Sequence, residues 1–114
     1  MPIKKLNGEF VVSNKFGKAK LFAIVDLKSN EIQIKSVNFE NGKQIVEFLE
    51  RENVEAIIVS HIGLGALKHA KGKNIKVFLA DKHTKISDVL NLYKEGKLEE
   101  IKTDLNHINI KCVS

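Results

Sequence analysis

The 114-residue sequence contains one cysteine, one proline, one arginine and no tryptophan. The lone cysteine, Cys112, excludes an intrachain disulfide and a cluster ligated by cysteines of this chain alone. No apolar run approaches the ~20 residues that a membrane-spanning helix needs, and the N-terminus lacks a signal-peptide pattern. We therefore expect a soluble, cytoplasmic protein with no membrane partner, folded around an ordinary hydrophobic core.

The charge balance is basic, with 19 Lys and Arg residues against 14 Asp and Glu residues and a net charge of +5. Such a balance suits polyanions, but it is also usual in proteins adapted to high temperature. Because Arg51 is the only arginine, the bidentate contacts of specific DNA-binding proteins are poorly supplied. A basic interaction module for nucleic acid or an acidic protein is therefore the alternative hypothesis, and nucleic acid is not the expected partner.

Several enzyme motifs are missing. The chain has no GxxxxGK[ST] phosphate loop, and Gly63-Leu64-Gly65 lacks the third glycine of a dinucleotide-binding motif. Ser60 does not lie in the G-x-S-x-G turn of serine hydrolases. A nuclease of the ribonuclease H type needs several converging carboxylates, and Asp26 is the only acid in a predicted central strand. These absences predict a protein that is not an enzyme.

The first half of the chain has the pattern of β-hairpins. Two short extended segments flank Asn7-Gly8, a dipeptide that favours a two-residue hairpin turn. Strands are predicted at 21–27 and 31–38, joined by the turn residues 28–30. We expect these two strands to pair antiparallel, with one face of the second strand exposed to water.

The second half alternates helices with strands. Apolar spacing predicts helices at 41–53, 64–71 and 86–93 and strands at 56–59 and 74–80. Asn41 is a candidate N-cap and Gly72 a candidate C-cap. This order requires right-handed crossovers and a parallel section of sheet, giving a three-layer α/β fold. We expect one domain over 1–114, with its core at about 9–98. The tail at 99–114 is predicted as one more edge strand or as partly disordered.

Two loops follow the predicted parallel strands and converge at one edge of the sheet, because parallel strands place their carboxyl ends together. They contain His61, Gly63 and His83, and a basic loop with Lys15 and Lys18 precedes another central strand. Imidazoles, lysines and backbone N–H groups of a glycine turn suit an anion or an anionic metal-bearing cofactor. The alternative is that these side chains are solvated and that the glycines serve only tight packing.

Two stretches resemble a known family. The segment 15–26, KFGKAKLFAIVD, resembles the motif H-F-G-[RK]-A-x-x-F-x-I-[VF]-D of the dinitrogenase iron–molybdenum cofactor biosynthesis family, which includes NifX-like proteins and nitrogenase accessory factors. The segment 53–63 resembles its G-V-D-x-[VL]-[IL]-x-x-x-[IM]-G motif. Shorter matches at 74–78 and 89–98 extend the resemblance to most of the chain, from about residue 13 to residue 98.

The resemblance implies a ribonuclease H-like α/β fold with a five-stranded mixed sheet and helices on both faces. It also implies a non-catalytic protein that binds or carries the iron–molybdenum cofactor or its iron–sulfur cluster precursor, with cofactor-assembly proteins as partners. The expected cofactor-binding residues are Lys15, Phe16, Gly17, His61, Gly63 and His83, with His61 as the metal ligand.

The chain departs from the family pattern at two places. The histidine that opens the H-F-G motif is Lys15 here, which removes a plausible cluster ligand. A protonated lysine does not ligate a metal as imidazole does, but it pairs with an anionic cluster or its organic acid. The glycine-rich loop before the first helix is also shortened, to about residues 40–42. A family member of unassigned role with a degenerate cluster site is therefore the second version of the hypothesis.

Overall fold

The structure, a computed structural model, describes residues 1–101, so Cys112 and most of the predicted tail lie outside the described residues. Those residues form seven strands: β1 (Pro2–Leu6), β2 (Glu9–Val12), β3 (Leu21–Asp26), β4 (Glu31–Ser36), β5 (Ala56–Val59), β6 (Lys76–Leu79) and β7 (Glu99–Glu100). The three helices within the same residues are α1 (Gly42–Arg51), α2 (Leu64–Gly72) and α3 (Ile86–Lys94). No helix of this part of the chain is long and apolar enough to cross a membrane.

The first half forms the predicted hairpins. β1 and β2 pair antiparallel around Asn7 and Gly8, whose φ angles of 53° and 83° are both positive. Two consecutive positive φ angles are the geometry of the tight turn that matches strand twist, which explains the Asn-Gly pair. β3 and β4 pair antiparallel over their full length, and β1 pairs with β3 on the other side. The two predicted hairpins are confirmed.

The second half contains the predicted parallel unit. β5 and β6 pair in parallel, and α2 connects them as the crossover helix. Gly72, predicted as the C-cap of α2, is its last helical residue, and Lys73 is the cap. β7 pairs antiparallel with β6 over two residues and forms a short version of the predicted edge strand.

The prediction of one five-stranded sheet is wrong, and the ribonuclease H-like topology is not confirmed. The strands form a four-stranded sheet in the order β2-β1-β3-β4 and a three-stranded sheet in the order β5-β6-β7. The end of β2 bonds to the loop that follows β6, where Val12 N–H donates to Thr84 O at 2.9 Å and Val12 O accepts from His83 N–H at 2.8 Å. A side chain is buried equally well whether its strand is hydrogen-bonded to a neighbouring strand or only packs against it. The apolar pattern of the sequence therefore does not distinguish one continuous sheet from two sheets.

The helices lie on both sides of the strands, as predicted. One buried cluster joins α1 and α2 to Ile57 and Val59 of β5, and a second joins α3 to Ile58, Ile3 and Ala23. Successive residues of β5 therefore face opposite layers, and all three are buried. This double coverage is the reason for the unbroken apolar run in β5.

Helix α3 covers part of the four-stranded sheet but does not extend over β4. Ile34 lies opposite Ala23 in the ladder, yet Ile32 and Ile34 are 46% and 41% exposed, and most of β4 is exposed on both faces. The prediction of a strand with only one wet face is therefore wrong. The reason is the position of β4 at the end of its sheet, beyond the helix that buries Ala23.

The N-terminus is part of the core. Met1 is 7% exposed, and its amino group donates a hydrogen bond to Ala23 O at 3.1 Å. Ala23 N–H donates in return to Met1 O at 2.8 Å. Burial lowers the pKa of the Met1 amine from 8.0 to about 5, because the charged form loses its hydration. Met1 and Ile3 thus belong to the same buried hydrophobic cluster as Ala23.

Candidate functional site

The loop after β5 is tied to the basic loop after β2. Ser60 Oγ donates to Ser13 O at 2.8 Å, and Lys15 N–H donates to Ser13 Oγ at 3.1 Å. These bonds hold the start of the basic loop beside the residues that follow β5. His61 and Gly17 therefore come to border the same depression.

This depression has a volume of about 510 Å³. Three segments line it: the basic loop, the start of α1, and the turn that leads into α2. The lining residues are Phe16, Gly17, Asn41, Gly42, Lys43, His61, Gly63, Gly65 and Ala66. We refer to it as the anion depression.

Two helix N-termini meet at the anion depression. Asn41 caps α1, with its Oδ1 accepting from Gln44 N–H at 3.0 Å, whereas Gly63 at the N-cap of α2 supplies no side-chain acceptor. The first-turn N–H groups of α2 therefore have no capping side chain. The N-terminus of a helix carries a partial positive charge and presents N–H donors, which together favour a bound anion.

Gly42 allows the two helix starts to approach. A Cβ at Gly42 would lie 2.8 Å from Ala66 Cβ and 3.3 Å from the Phe16 ring. Any side chain at this position would push α1 away from α2 or from the ring. The close contact of the two N-termini thus depends on glycine at this position.

The titratable side chains that line the anion depression are basic. Within the described residues, Lys43 and His61 are the titratable residues of its lining and no carboxylate lines it. Neither helix has an acidic residue in its first turn. Lys43 lies in the first turn of α1, where a cation is unfavourable toward the helix dipole. The arrangement therefore stabilises negative charge at a cost to α1 itself.

Four of the six predicted cofactor-binding residues line the anion depression: Phe16, Gly17, His61 and Gly63. Phe16 is also a core residue, 2% exposed, with its ring centroid 6.0 Å from that of Phe22. Lys15 and His83 are exposed and do not line it. The N–H of His83 instead donates to Val12 O, at a positive φ of 67°.

The sequence reasoning missed the contribution of α1. The sequence predicts Asn41 as a cap and residues 40–42 as a shortened loop that weakens cluster binding, but it does not predict Asn41, Gly42 or Lys43 as binding residues. The sequence does contain one indication that Lys43 has a role at the site. A lysine in the first turn of a helix is unfavourable toward the helix dipole, so its presence there needs another explanation. Gly65 and Ala66 at the start of α2 were also missed.

A metal ion held only by protein side chains does not fit the described residues. Residues 1–101 contain no group of three or more His, Cys, Asp or Glu side chains that could hold one. Among residues 1–101, His61 is the one histidine that lines the anion depression. The described side chains therefore suit an anion better than a bare metal ion.

A second depression of about 450 Å³ lies on the other side of His61. Asn14, Ser60, Ala80, Asp81 and Lys82 complete its lining. Because Asp81 adds negative charge there, this depression suits an anion less well. His61 borders both depressions.

The family model described as "Dinitrogenase iron-molybdenum cofactor" matches residues 1–96. The chain belongs to this family. The family membership predicted from the sequence is thus confirmed, and family members are associated with the synthesis or binding of that cofactor.

Two solved structures are similar in fold. The NMR structure of a Thermotoga protein provisionally assigned as NifB shares 27% identity, covers 91% of this chain and 92% of its own, and has a TM-score of 0.74. The apo form of the orange protein from Desulfovibrio gigas shares 14% identity over 89% of each chain, with a TM-score of 0.78. At that identity the second likeness concerns the fold alone. No curated protein matches this chain.

Proposed function

We propose that this protein binds and carries an anionic metallocluster, of the iron–molybdenum cofactor or iron–sulfur precursor type, without catalysing a reaction. The observation that carries the proposal is the meeting of two helix N-termini, Lys43 and His61 at a depression that no carboxylate of residues 1–101 lines. The proposal assigns the protein to the cytoplasm, where cofactor-assembly proteins would load and unload it.

The electrostatic contribution comes mainly from backbone and lysine. Each helix N-terminus is equivalent to about half a positive charge, so the two helices with Lys43 present roughly two positive charges to a ligand. Lys43 Cε lies 3.7 Å from the position that a Cβ would occupy at Gly65, so its side chain reaches from α1 to the start of α2. The ammonium group would pair with a sulfide-rich cluster or with its organic acid.

His61 would supply the one direct bond to metal. Its side chain is exposed in the turn that follows β5, and it forms no ion pair with an acidic side chain among residues 1–101. Neutral imidazole is a common ligand of iron and related metals. A single ligand with several N–H donors suits a carrier, because few bonds must break when the cluster is handed on.

The test is an anaerobic titration of the purified protein with iron–molybdenum cofactor and, separately, with a [4Fe–4S] precursor. Bound iron and sulfide are measured after gel filtration. The variants His61→Ala and Lys43→Gln remove the two side chains of the site. The matched controls are His83→Asn, which keeps a residue tolerant of positive φ, and Lys15→Gln.

We expect binding by the wild-type protein and by both controls, and a loss of about tenfold or more in affinity for each site variant. Equal losses in His61→Ala and His83→Asn would contradict the location. No retained iron in the wild-type protein would contradict the function. Competition by single-stranded RNA, with a steep dependence on salt, would favour the alternative of a basic interaction module.

A further inference from the structure

The free edge of β4 has unpaired backbone groups. Val37 N–H donates to Lys20 O at 2.8 Å. This bond determines which residue pairs between β3 and β4 are the hydrogen-bonded ones. Hydrogen-bonded pairs alternate along an antiparallel ladder, so Lys35, Gln33 and Glu31 bond to β3. Ile32 and Ile34 therefore direct their N–H and C=O groups outward. Among residues 1–101, no strand pairs with that side.

The edge of β4 has few of the features that block the addition of a strand. Natural edge strands carry prolines, bulges or inward-pointing charges that block the addition of another strand. β4 has no proline or bulge over its six residues, and its charged side chains are limited to Glu31 and Lys35. Its two isoleucines are among the exposed large apolar side chains. An edge of this kind pairs readily with a further strand.

The sequence of β4 is complementary to itself. Antiparallel pairing of two β4 strands about Gln33 sets Ile32 opposite Ile34 and Glu31 opposite Lys35, each twice. The alternation of bonding also permits registers centred on Ile32 or Ile34, but these oppose Gln33 to Glu31 or to Lys35 and form no such ion pairs. Opposite charges facing across a ladder stabilise it, so the register about Gln33 is preferred.

Of the two charges in this register, one is unpaired among residues 1–101 and the other already forms an ion pair. Glu31 is exposed and forms no ion pair among residues 1–101. Lys35 forms an ion pair with Glu52, with Nζ 3.0 Å from Oε1. In the paired form Lys35 would lie between Glu52 of its own chain and Glu31 of the other. The same ladder would join the exposed isoleucines of both copies into one apolar strip.

We propose that β4 is the interface through which a second copy of this chain adds, antiparallel, about a two-fold axis at Gln33. The contact is isologous, so it closes at a dimer. None of the residues that line the anion depression belongs to β4, so each copy keeps its site. The proposal does not depend on what that site binds.

The test uses sedimentation equilibrium of the full chain over a range of concentrations at physiological ionic strength. Glu31→Lys places two lysines opposite each other in each half of the interface. Lys35→Glu places two glutamates opposite each other there. We expect each variant to raise the dissociation constant by about tenfold or more. The mixture of the two variants restores both ion pairs, and we expect it to associate about tenfold or more tightly than either variant alone.

The controls make the same changes of charge away from the edge. Glu55→Lys matches Glu31→Lys, and Lys73→Glu matches Lys35→Glu by breaking the 2.9 Å pair with Glu50. Both controls are expected to dimerise as the wild type does. Hydrogen exchange is expected to slow at the Ile32 and Ile34 amides as concentration rises.

Three results would overturn the proposal. The first is a wild-type chain that stays monomeric at every concentration. The second is a dimer that Glu31→Lys weakens no more than Glu55→Lys does. The third is protection of the Ile32 and Ile34 amides that does not depend on concentration, since this would mean that a segment of the same chain covers the edge.

Discussion

The buried amino group of Met1 predicts a pronounced dependence of stability on pH. Its pKa falls from 8.0 to about 5 on folding, because the folded chain surrounds it with apolar residues and leaves Ala23 O as its acceptor. Between these values the unfolded chain binds more protons than the folded chain, so the free energy of unfolding rises with pH. The three-unit difference corresponds to about 4 kcal/mol across the whole window.

The assay follows urea unfolding from pH 8.5 to pH 5.5, above the range in which most carboxylates titrate. This group alone should lower the free energy of unfolding by about 3 kcal/mol over that interval, a large part of the 5–15 kcal/mol typical of a domain. Met1 is the only methionine, so selective labelling with ¹³C- and ¹⁵N-methionine yields signals from one residue. The label should titrate near 5 in the folded protein and near 8 in urea. A folded-state transition near 8 would refute the reasoning.

Three further predictions concern packing and capping. Gly42→Ala should destabilise the fold by about 1–3 kcal/mol and weaken ligand binding, because its Cβ would overlap Ala66; Gly72→Ala, with nothing within 4 Å, should not. Asn41→Ala should cost about 1 kcal/mol in urea unfolding by removing the N-cap bond of α1, and Asn41→Asp should retain most of it. Leu67→Ala should cost about 2–5 kcal/mol because Leu67 is fully buried, whereas Leu27→Ala at an exposed position should change stability little.

Each of these has a result that would contradict it. Equal stability of Gly42→Ala and Gly72→Ala would mean that α1 and α2 do not need their close approach. An unchanged Asn41→Ala would mean that the N-terminus of α1 finds another acceptor. Similar losses for the two leucine variants would contradict the location of the core. Urea midpoints with unchanged slopes are the measurement in each case.

The elements with local causes could be predicted from the sequence. Asn7-Gly8 requires a tight hairpin turn because few other residue pairs tolerate two positive φ angles. Asn41 caps α1 because its short side chain reaches the N–H of Gln44. The apolar run of β5 requires cover on both faces, and the family motifs at 15–26 and 53–63 carried the membership that the family model confirms.

The tertiary structure decided which of these elements share hydrogen bonds and which side chains meet. The pattern that buries Ile58 is the same in one sheet or two, so the division into four and three strands was not readable from it. Lys43 joined the site only because Gly42 lets α1 approach α2. His61 was chosen from its place after a parallel strand and does line the anion depression, whereas His83 was chosen on the same grounds and does not. Position along a strand is local information, but convergence in space depends on the packing of the whole chain.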